Sequence, residues 1–162
     1  MSEATQQTAK KKPVSKSAAA RSARLVAVQA QYEVMHRGAD AQEVVAHYLR
    51  EASNLELHGE KLVEPNLKLL KSIIDGVEAR GQELLEVLAN ILGDKAKKSN
   101  GMDLILKAIL LCGSYELMAH DDIDAPIIIN DYLDITHAFY DVSEAKLVNG
   151  VLDKVSKLFR DA

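Results

Sequence analysis

The stretch LILKAILLCGSYELM, Leu104 to Met118, decides the fold class of this chain. Its apolar side chains occur nearly all round a helical wheel, and a helix that is apolar on every face is usually central to its domain. Asp103 precedes the stretch as a predicted N-cap, and the helix is expected to continue to about His120. The sequence therefore predicts a protein built around one buried central helix.

The composition favours long helices on both sides of this segment. The chain has 162 residues, with only eight Gly, three Pro, 4% aromatic residues and no Trp. Since Gly and Pro are the strongest signals for turns, their scarcity indicates few turns and long elements. Hydrophobic residues at 48% and charged residues at 27% are ordinary for a globular protein, so an all-α fold with a real core is expected.

Apolar residues at helical spacing predict six further helices, giving about seven in total. The first runs from about Ala18 to His36, and the second follows an Asp40 N-cap, with Glu43 completing a capping-box pattern. A polar link is expected at 53–59. The remaining helices are predicted at 62–79, at 84–92, from Pro126 to a last turn at 140–143, and at about 144–159.

The last helix contains an unusual dipeptide, Asn149-Gly150, which is a strong signal for a β-hairpin turn. A hairpin would break a stripe of apolar residues at helical spacing, so a helix is the better prediction. That stripe consists of Val148, Val151, Leu152, Val155 and Phe159. Gly150 lies on the opposite side of the wheel. Either another backbone or a ligand approaches closely there, or the Gly reflects drift or a local bend.

Charge is distributed unevenly along the chain. Between Met1 and Arg24 there are six basic residues and one acid, Glu3, so this segment carries +5 and the remainder −9 of a net −4. Residues 1–17 are polar and basic and cannot bury enough apolar surface to order themselves, so they are predicted to form a disordered arm. A basic arm on an acidic body is typical of polyanion binding, although a merely solubilising tail has the same composition.

Signals for catalysis or metal binding are weak. The five His residues show no pairing at zinc-ligand spacing, and no glycine-rich phosphate loop or nucleophile elbow occurs. Asp121, Asp122 and Asp124 are best interpreted as a solvated loop that caps the next helix. Cys112 is the only cysteine, so no intramolecular disulfide can form, and its place in the apolar run AILLCGSYELM predicts a buried thiol. No early apolar run resembles a signal peptide, and no run of about 18 apolar residues could span a membrane, so a cytoplasmic protein is expected. The weak catalytic and metal signals lead us to expect that it is not an enzyme and has no cofactor or metal.

Three blocks of sequence carry a family resemblance. They are ARLVAVQAQYEV (23–34), LKAILLCGSYELM (106–118) and DIDAPIIINDYLDITHAFYDVSEAKLVNGVLDKV (122–155). Their order and spacing over roughly residues 21–157 resemble the NusB family of bacterial transcription antitermination factors, in which VNGVLD marks the C-terminal helix. The resemblance implies an all-α RNA-binding domain, 18–162, made of two small packed helical bundles at about 18–80 and 81–162.

The resemblance also implies a function. Family members pair with NusE, a small-subunit ribosomal protein, and the pair binds the boxA element of nascent RNA. This complex, with other Nus factors, nucleates antitermination on RNA polymerase, notably in ribosomal RNA operons. Some family members form homodimers that hide the RNA surface.

Site residues follow from the same resemblance. The implied RNA-binding residues are Arg21, Arg24, Phe139, Ser143, Lys146 and Leu147. Ser143 replaces a usual Asp and Leu147 a usual Phe, so local stacking and base-edge contacts differ from the family pattern. The implied NusE contacts are Tyr32 and Leu106, of which Leu106 replaces a usual acid; both are also plausible core residues.

Two other functions are compatible with these residues. The departures at Ser143 and Leu147 would suit a protein-interaction module with weakened or lost RNA binding. NusB-like domains also precede the catalytic region of some RNA cytosine methyltransferases, but no cofactor-binding α/β region is present in this sequence.

Overall fold

The computed structural model describes residues 14–93 and 102–160. Within these ranges the chain forms seven α-helices, one short 3₁₀ turn at Ala52–Asn54 and one two-stranded hairpin. The elements are α1 Lys16–Arg37, α2 Ala41–Arg50, β1 Glu56–Leu57, β2 Glu60–Lys61, α3 Leu67–Ala79, α4 Gly81–Leu92, α5 Leu104–Ala119, α6 Ala125–Phe139 and α7 Val142–Arg160. The prediction of an all-α fold with about seven helices is confirmed.

Helix α5 is central, as its apolar sequence predicts. It packs against α1, α3, α4, α6 and α7, and most of its residues are buried. Helices α1, α2 and α3 pack on one another in the N-terminal half, while α4, α6 and α7 surround α5 in the C-terminal half. The two small bundles therefore share α5 and α1 at their junction.

The helix starts follow from identifiable caps. The Ser15 hydroxyl accepts a hydrogen bond from the Ala18 amide, and the Asp40 and Asp103 carboxylates accept bonds from the amides two residues further on. Because Ser15 caps α1, Lys16 and Ser17 belong to the first turn of a helix and not to the predicted arm. Residues 1–13 of that arm lie outside the described residues.

The prediction of a third helix from Leu62 is wrong at its start. Residues 56–61 form the β1–β2 hairpin, with Glu56 opposite Lys61 and Leu57 opposite Glu60. Its turn residues, His58 and Gly59, both have positive φ angles of 52° and 82°, as a type I′ turn requires. Pro65 disfavours helical backbone in the residue before it, so α3 begins only at Leu67, where the Asn66 side chain accepts a bond from the Leu69 amide.

Two glycines refine the predicted helices. Gly81 follows the end of α3 and begins α4, three residues before the predicted start at 84. Gly150 is exposed within α7, and a Cβ built there would meet no atom within 4 Å, so close approach of another described backbone is excluded as its explanation. The close approach occurs instead at buried Gly76 of α3, where a Cβ would collide with the ring of Tyr115.

The face of α7 matches its predicted stripe except at the end. Val148, Val151, Leu152 and Val155 are buried, whereas Phe159 is 38% exposed. The neighbouring Arg160 donates hydrogen bonds to the carbonyls of Leu117 at 3.0 Å and His120 at 2.7 Å. This guanidinium satisfies carbonyls at the C-terminal end of α5, which a helix otherwise leaves without partners.

Candidate RNA and partner interface

Arg24 of α1 lies inside the protein, with an exposed fraction of 1%. Its Nε and Nη2 atoms donate to the two carboxylate oxygens of Glu116 at 2.8 and 3.0 Å, and its Nη1 donates to Asp131 at 2.8 Å. The structure therefore corrects Arg24 from a predicted RNA contact to a buried residue that joins α1 to α5 and α6. One of the six basic residues between Met1 and Arg24 is therefore not available at the surface.

Glu116 is the centre of this buried network. Besides Arg24, it accepts a bond from the Tyr132 hydroxyl at 2.6 Å and lies 3.0 Å from His120 Nδ1, whose Nε2 is 3.0 Å from the Ser72 hydroxyl. Burial alone would raise the pKa of Glu116, but the hydrogen bonds from His120 and Arg24 and the charge of Arg24 hold it below its ordinary value. The charged form of this carboxylate thus stabilises the junction of the two bundles.

Arg21 lies one turn before Arg24 on α1 but faces solvent, with 57% of its side chain exposed. Its Nε atom is 3.6 Å from Asp131, so Asp131 bridges the buried and the exposed arginine. Arg21 is therefore positioned to meet a phosphate while Arg24 is not.

A groove of about 230 Å³ begins at Arg21 and runs between α1, α6 and the segment after β2; it is called the α1–α6 groove below. Its apolar lining consists of Ala18, Leu25, Leu62, Val63, Ile135 and Ala138. Arg21 and Asp134, both exposed, add a positive and a negative side chain at its edge. Ser22, also in the lining, donates its hydroxyl hydrogen bond to the Val63 carbonyl and so fixes one wall to α1.

A second groove, of about 400 Å³, follows along α1 and is called the Tyr32 groove. Tyr32 and Phe139 both line it, together with Ile105, Leu55, Glu33 and Glu56. Tyr32 stacks on His36 with ring centroids 5.2 Å apart and an interplanar angle of 9°. The structure thus brings the predicted partner residue Tyr32 and the predicted RNA residue Phe139 into one depression.

The β1–β2 hairpin reaches Phe139 from the other side. The His58 ring at its turn meets the Phe139 ring edge-on, with centroids 5.7 Å apart and an angle of 70°. Sequence reasoning missed this contact because two-residue strands are too short to show an alternating pattern. The only available signal was the His58-Gly59 pair, since Gly and, less often, His tolerate positive φ.

The remaining predicted RNA residues lie in the first turns of α7. Ser143 and Lys146 are exposed and Leu147 is partly buried against the core. The Ser143 hydroxyl donates to the Glu144 carboxylate at 2.9 Å. Lys146 therefore presents a positive charge just after Phe139 in the chain, while Leu147 offers only part of its side chain to a ligand.

Leu106 occupies the core with an exposed fraction of 7%, which corrects its predicted role as a partner contact. One residue step rotates a helix by about 100°, and it is the preceding residue, Ile105, that lines the Tyr32 groove. The central helix thus contributes an apolar wall to the groove and not a polar contact.

No group of three or more His, Cys, Asp or Glu side chains within residues 14–93 and 102–160 is arranged to hold a metal ion. In the same ranges, none of the helices combines the length and apolar character needed to cross a membrane.

The NusB family model matches residues 21–157 of this chain. The match covers well over half of the sequence. The chain belongs to the NusB family.

Related sequences agree along nearly the whole length. The transcription antitermination protein NusB of Rhizobium rhizogenes is 36% identical over 138 residues, which cover 85% of this chain and 86% of that protein. The NusB proteins of Mesorhizobium japonicum, 37% identical over 138 residues, and Allorhizobium ampelinum, 34% identical over 154 residues, cover 88% and 96% of their own lengths.

Solved NusB structures share the fold. Thermotoga maritima NusB superposes with a TM-score of 0.69 at 21% identity, covering 85% of this chain and 89% of that one. A NusB chain in a crystal structure of the antitermination factors NusB and NusE with double-stranded RNA gives a TM-score of 0.70 at 19% identity, covering 86% and 96%.

Within this NusB-family fold, three of the predicted site residues line the two grooves: Arg21 in the first, and Tyr32 and Phe139 in the second. The groove residues Asp134, Ala138 and Ile105 were not anticipated, because their positions depend on how α5 and α6 pack against α1.

Proposed function

We propose that this protein is a transcription antitermination factor that binds boxA-type single-stranded RNA together with NusE, and that it acts by binding and not by catalysis. The complex would assemble with other Nus factors on RNA polymerase, notably in ribosomal RNA operons, in the cytoplasm.

One observation carries the proposal: Arg21, Phe139 and Tyr32 line two successive grooves along α1. A positive side chain, an aromatic ring and a partly apolar pocket thus follow one another on one side of the molecule. Single-stranded RNA is bound through phosphate contacts and base stacking, and these are the groups that Arg21 and Phe139 supply.

The Tyr32 groove suits a basic protein partner. Its lining combines apolar side chains with the carboxylates of Glu33 and Glu56. The Tyr48 hydroxyl donates to Glu33 at 3.0 Å, which orients that carboxylate within the groove. Charge complementarity of this kind favours a positively charged surface on the partner. The solved NusB–NusE–RNA complex has the same fold and supports NusE as that partner.

The order of the grooves gives a mechanism. RNA phosphates would contact Arg21, Lys146 and the basic arm, and a base would stack on Phe139 at the edge of the Tyr32 groove. NusE in that groove would then touch both protein and RNA, so RNA would bind the pair more tightly than either protein alone.

The interaction module with weakened RNA binding is the second candidate. It is favoured by Leu147, which is partly buried, and by Ser143, whose hydroxyl is bonded to Glu144. These two side chains offer less to a base than an aromatic ring and a free carboxylate would.

Fluorescence anisotropy with a labelled boxA-like RNA and a scrambled RNA, with and without NusE, tests the proposal. The expected result is tighter, sequence-dependent binding when NusE is present. Phe139→Leu should weaken it by about tenfold, as loss of one base stack does, whereas Lys154→Ala on the exposed face of α7 should not. Equal, purely salt-dependent binding to both RNAs, with NusE still bound, would favour the interaction module.

Light scattering at several protein concentrations, with and without RNA, accompanies this test. A homodimer that dissociates when RNA and NusE are added would be consistent with a self-associated form that covers the RNA surface.

A further inference from the structure

We propose that the α1–α6 groove binds one nucleobase that carries an exocyclic amino group (adenine, cytosine or guanine), and that Asp134 recognises the amine. The inference rests on the proposed RNA-binding function and names a specificity-determining residue for it.

The size and lining of the groove fit a single base. Pockets for drug-sized molecules measure about 300–1,000 Å³, and this groove is smaller, at about 230 Å³. Its walls are aliphatic: Leu25 of α1, Ile135 and Ala138 of α6, and Leu62 and Val63 after the hairpin. An unstacked base of single-stranded RNA has apolar faces that such walls cover, and hydrogen-bonding edges that need a polar group at the rim.

The charges at the groove fit RNA and not an uncharged ligand. Arg21 extends beside it and is 57% exposed. Its planar guanidinium, held near Asp131, can meet the phosphate of the same nucleotide or stack beside the base. Lys16, two residues before the lining residue Ala18, is a further exposed positive side chain on α1.

Asp134 decides which bases fit. It is exposed on α6, one residue before Ile135 and one turn before Ala138, so its carboxylate lies at the edge of the apolar walls. A carboxylate only accepts hydrogen bonds, and Asp or Glu accepting from the cytosine N4 amine is an established recognition pair. Uracil has a carbonyl oxygen in place of that amine, so two acceptors would face each other.

The α1–α6 groove is distinct from the Tyr32 groove, which Phe139 lines, but adjoins it. Ala138 lines the α1–α6 groove and the next residue, Phe139, lines the Tyr32 groove. The amide of Leu62 donates to the Leu55 carbonyl at 2.8 Å, which joins the walls of the two grooves at the base of the hairpin. Two neighbouring nucleotides could therefore occupy the two grooves, one read by Asp134 and one stacked on Phe139.

The test measures the affinity of the protein–NusE pair for a set of boxA-like RNAs. In each RNA one cytosine is replaced by uracil, one adenine by purine or one guanine by hypoxanthine; purine and hypoxanthine lack only the amine. The wild type should lose roughly three- to tenfold affinity at one position. Asp134→Asn, whose amide can also donate to a carbonyl, should abolish that preference, and Asp121→Asn in the α5–α6 loop should keep it.

A second variant probes the groove by filling it. Ala138→Leu adds apolar volume at an exposed helical position, and it should weaken binding of the unmodified RNA. Binding of the RNA that is substituted at the Asp134-sensitive position should change little. If the wild type and Asp134→Asn discriminate equally between the original and the substituted RNA at every position, the role assigned to Asp134 is overturned, but the proposed RNA-binding function is not. If the wild-type pair binds none of the RNAs, the proposed function itself is rejected and the groove assignment with it.

Discussion

At the scale of single residues, the two arginines at the start of α1 illustrate what sequence alone leaves undecided. Arg21 and Arg24 are one turn apart and look equally suited to bind phosphate. Packing separates them, because Asp131 and Glu116 from two other helices enclose Arg24 and leave Arg21 at the surface. A charge in the interior persists only when paired and hydrogen-bonded, and Arg24 meets both conditions.

Alanine substitutions should separate the two roles. Arg24→Ala leaves Glu116 and Asp131 without their main partner and should lower the free energy of unfolding by about 3–5 kcal/mol. Arg21→Ala should change stability by less than about 0.5 kcal/mol, but reduce the slope of log affinity against log salt for RNA by about 0.7. Urea denaturation and anisotropy at several salt concentrations measure both quantities. A stable Arg24→Ala protein with reduced RNA affinity would contradict this division.

The Glu116 carboxylate should give stability a defined pH dependence. Its pKa in the folded protein is depressed: burial, which raises it, is outweighed by the hydrogen bonds from His120 and Arg24. Such a group stabilises the fold above its unfolded pKa of about 4.3, and this contribution is lost as pH falls through the lower folded value.

Urea denaturation of wild type and Glu116→Gln between pH 3 and 7 tests this linkage. The wild type should lose stability steeply below about pH 4.3. Glu116→Gln should be less stable at pH 7 and show a shallower decline, since Gln does not titrate. Parallel curves for the two proteins would mean that other groups cause the acid sensitivity.

At the scale of elements, long helices were predictable and the short hairpin was not. The apolar surface of Leu104–Met118, the Asp40 and Asp103 caps and the α7 stripe are local patterns that repeat over several turns, so they specify helices before any packing is known. Residues 56–61 offer two residues per strand, and their pairing depends on the His58-Gly59 turn. The predicted start of α3 was wrong because the apolar residues Leu62 and Val63 fit a helical pattern, although they belong to the segment between β2 and α3.

Two glycines within helices should respond oppositely to alanine. Gly76→Ala places a Cβ against the Tyr115 ring, where α3 crosses α5, and should destabilise the protein by about 1–3 kcal/mol. Gly150→Ala meets open space on α7 and should stabilise it by about 0.5–1 kcal/mol, because Ala is the better helix former.

Chemical denaturation of the two variants, with RNA binding measured in parallel, completes this comparison. Gly150→Ala should bind RNA as the wild type does unless a ligand approaches α7 at that position. A destabilised Gly150→Ala protein, or a Gly76→Ala protein as stable as the wild type, would show that the packing around these helices differs from that described.

At the scale of the whole molecule, the candidate interface is assembled from segments far apart in sequence. Arg21 and Tyr32 of α1, Ile105 of α5 and Phe139 of α6 come together only because α5 crosses α1 and α6 packs alongside. Residue types could be assigned from the family resemblance, but the grooves between them could not. Leu106 shows the limit: the central helix was correctly placed, yet one step of rotation puts Ile105, and not Leu106, in the Tyr32 groove.

The charge distribution of the whole chain predicts how strongly salt affects RNA binding. Residues 1–13 contain Lys10, Lys11 and Lys12, and the N-terminal segment is the basic part of an otherwise acidic protein. Each lysine that neutralises a phosphate of single-stranded RNA adds about 0.7 to the salt slope. Replacing all three lysines by Gln should therefore lower the slope by about 2 while leaving the unfolding free energy unchanged, since α1 begins at Lys16 with its own Ser15 cap.

Deleting residues 1–13 should have the same effect on the slope, and a triple Gln variant of Lys154, Lys157 and Lys107 controls for total charge. An unchanged slope in the arm variants would restrict the phosphate contacts to Arg21 and Lys146 and make the arm a solubilising tail.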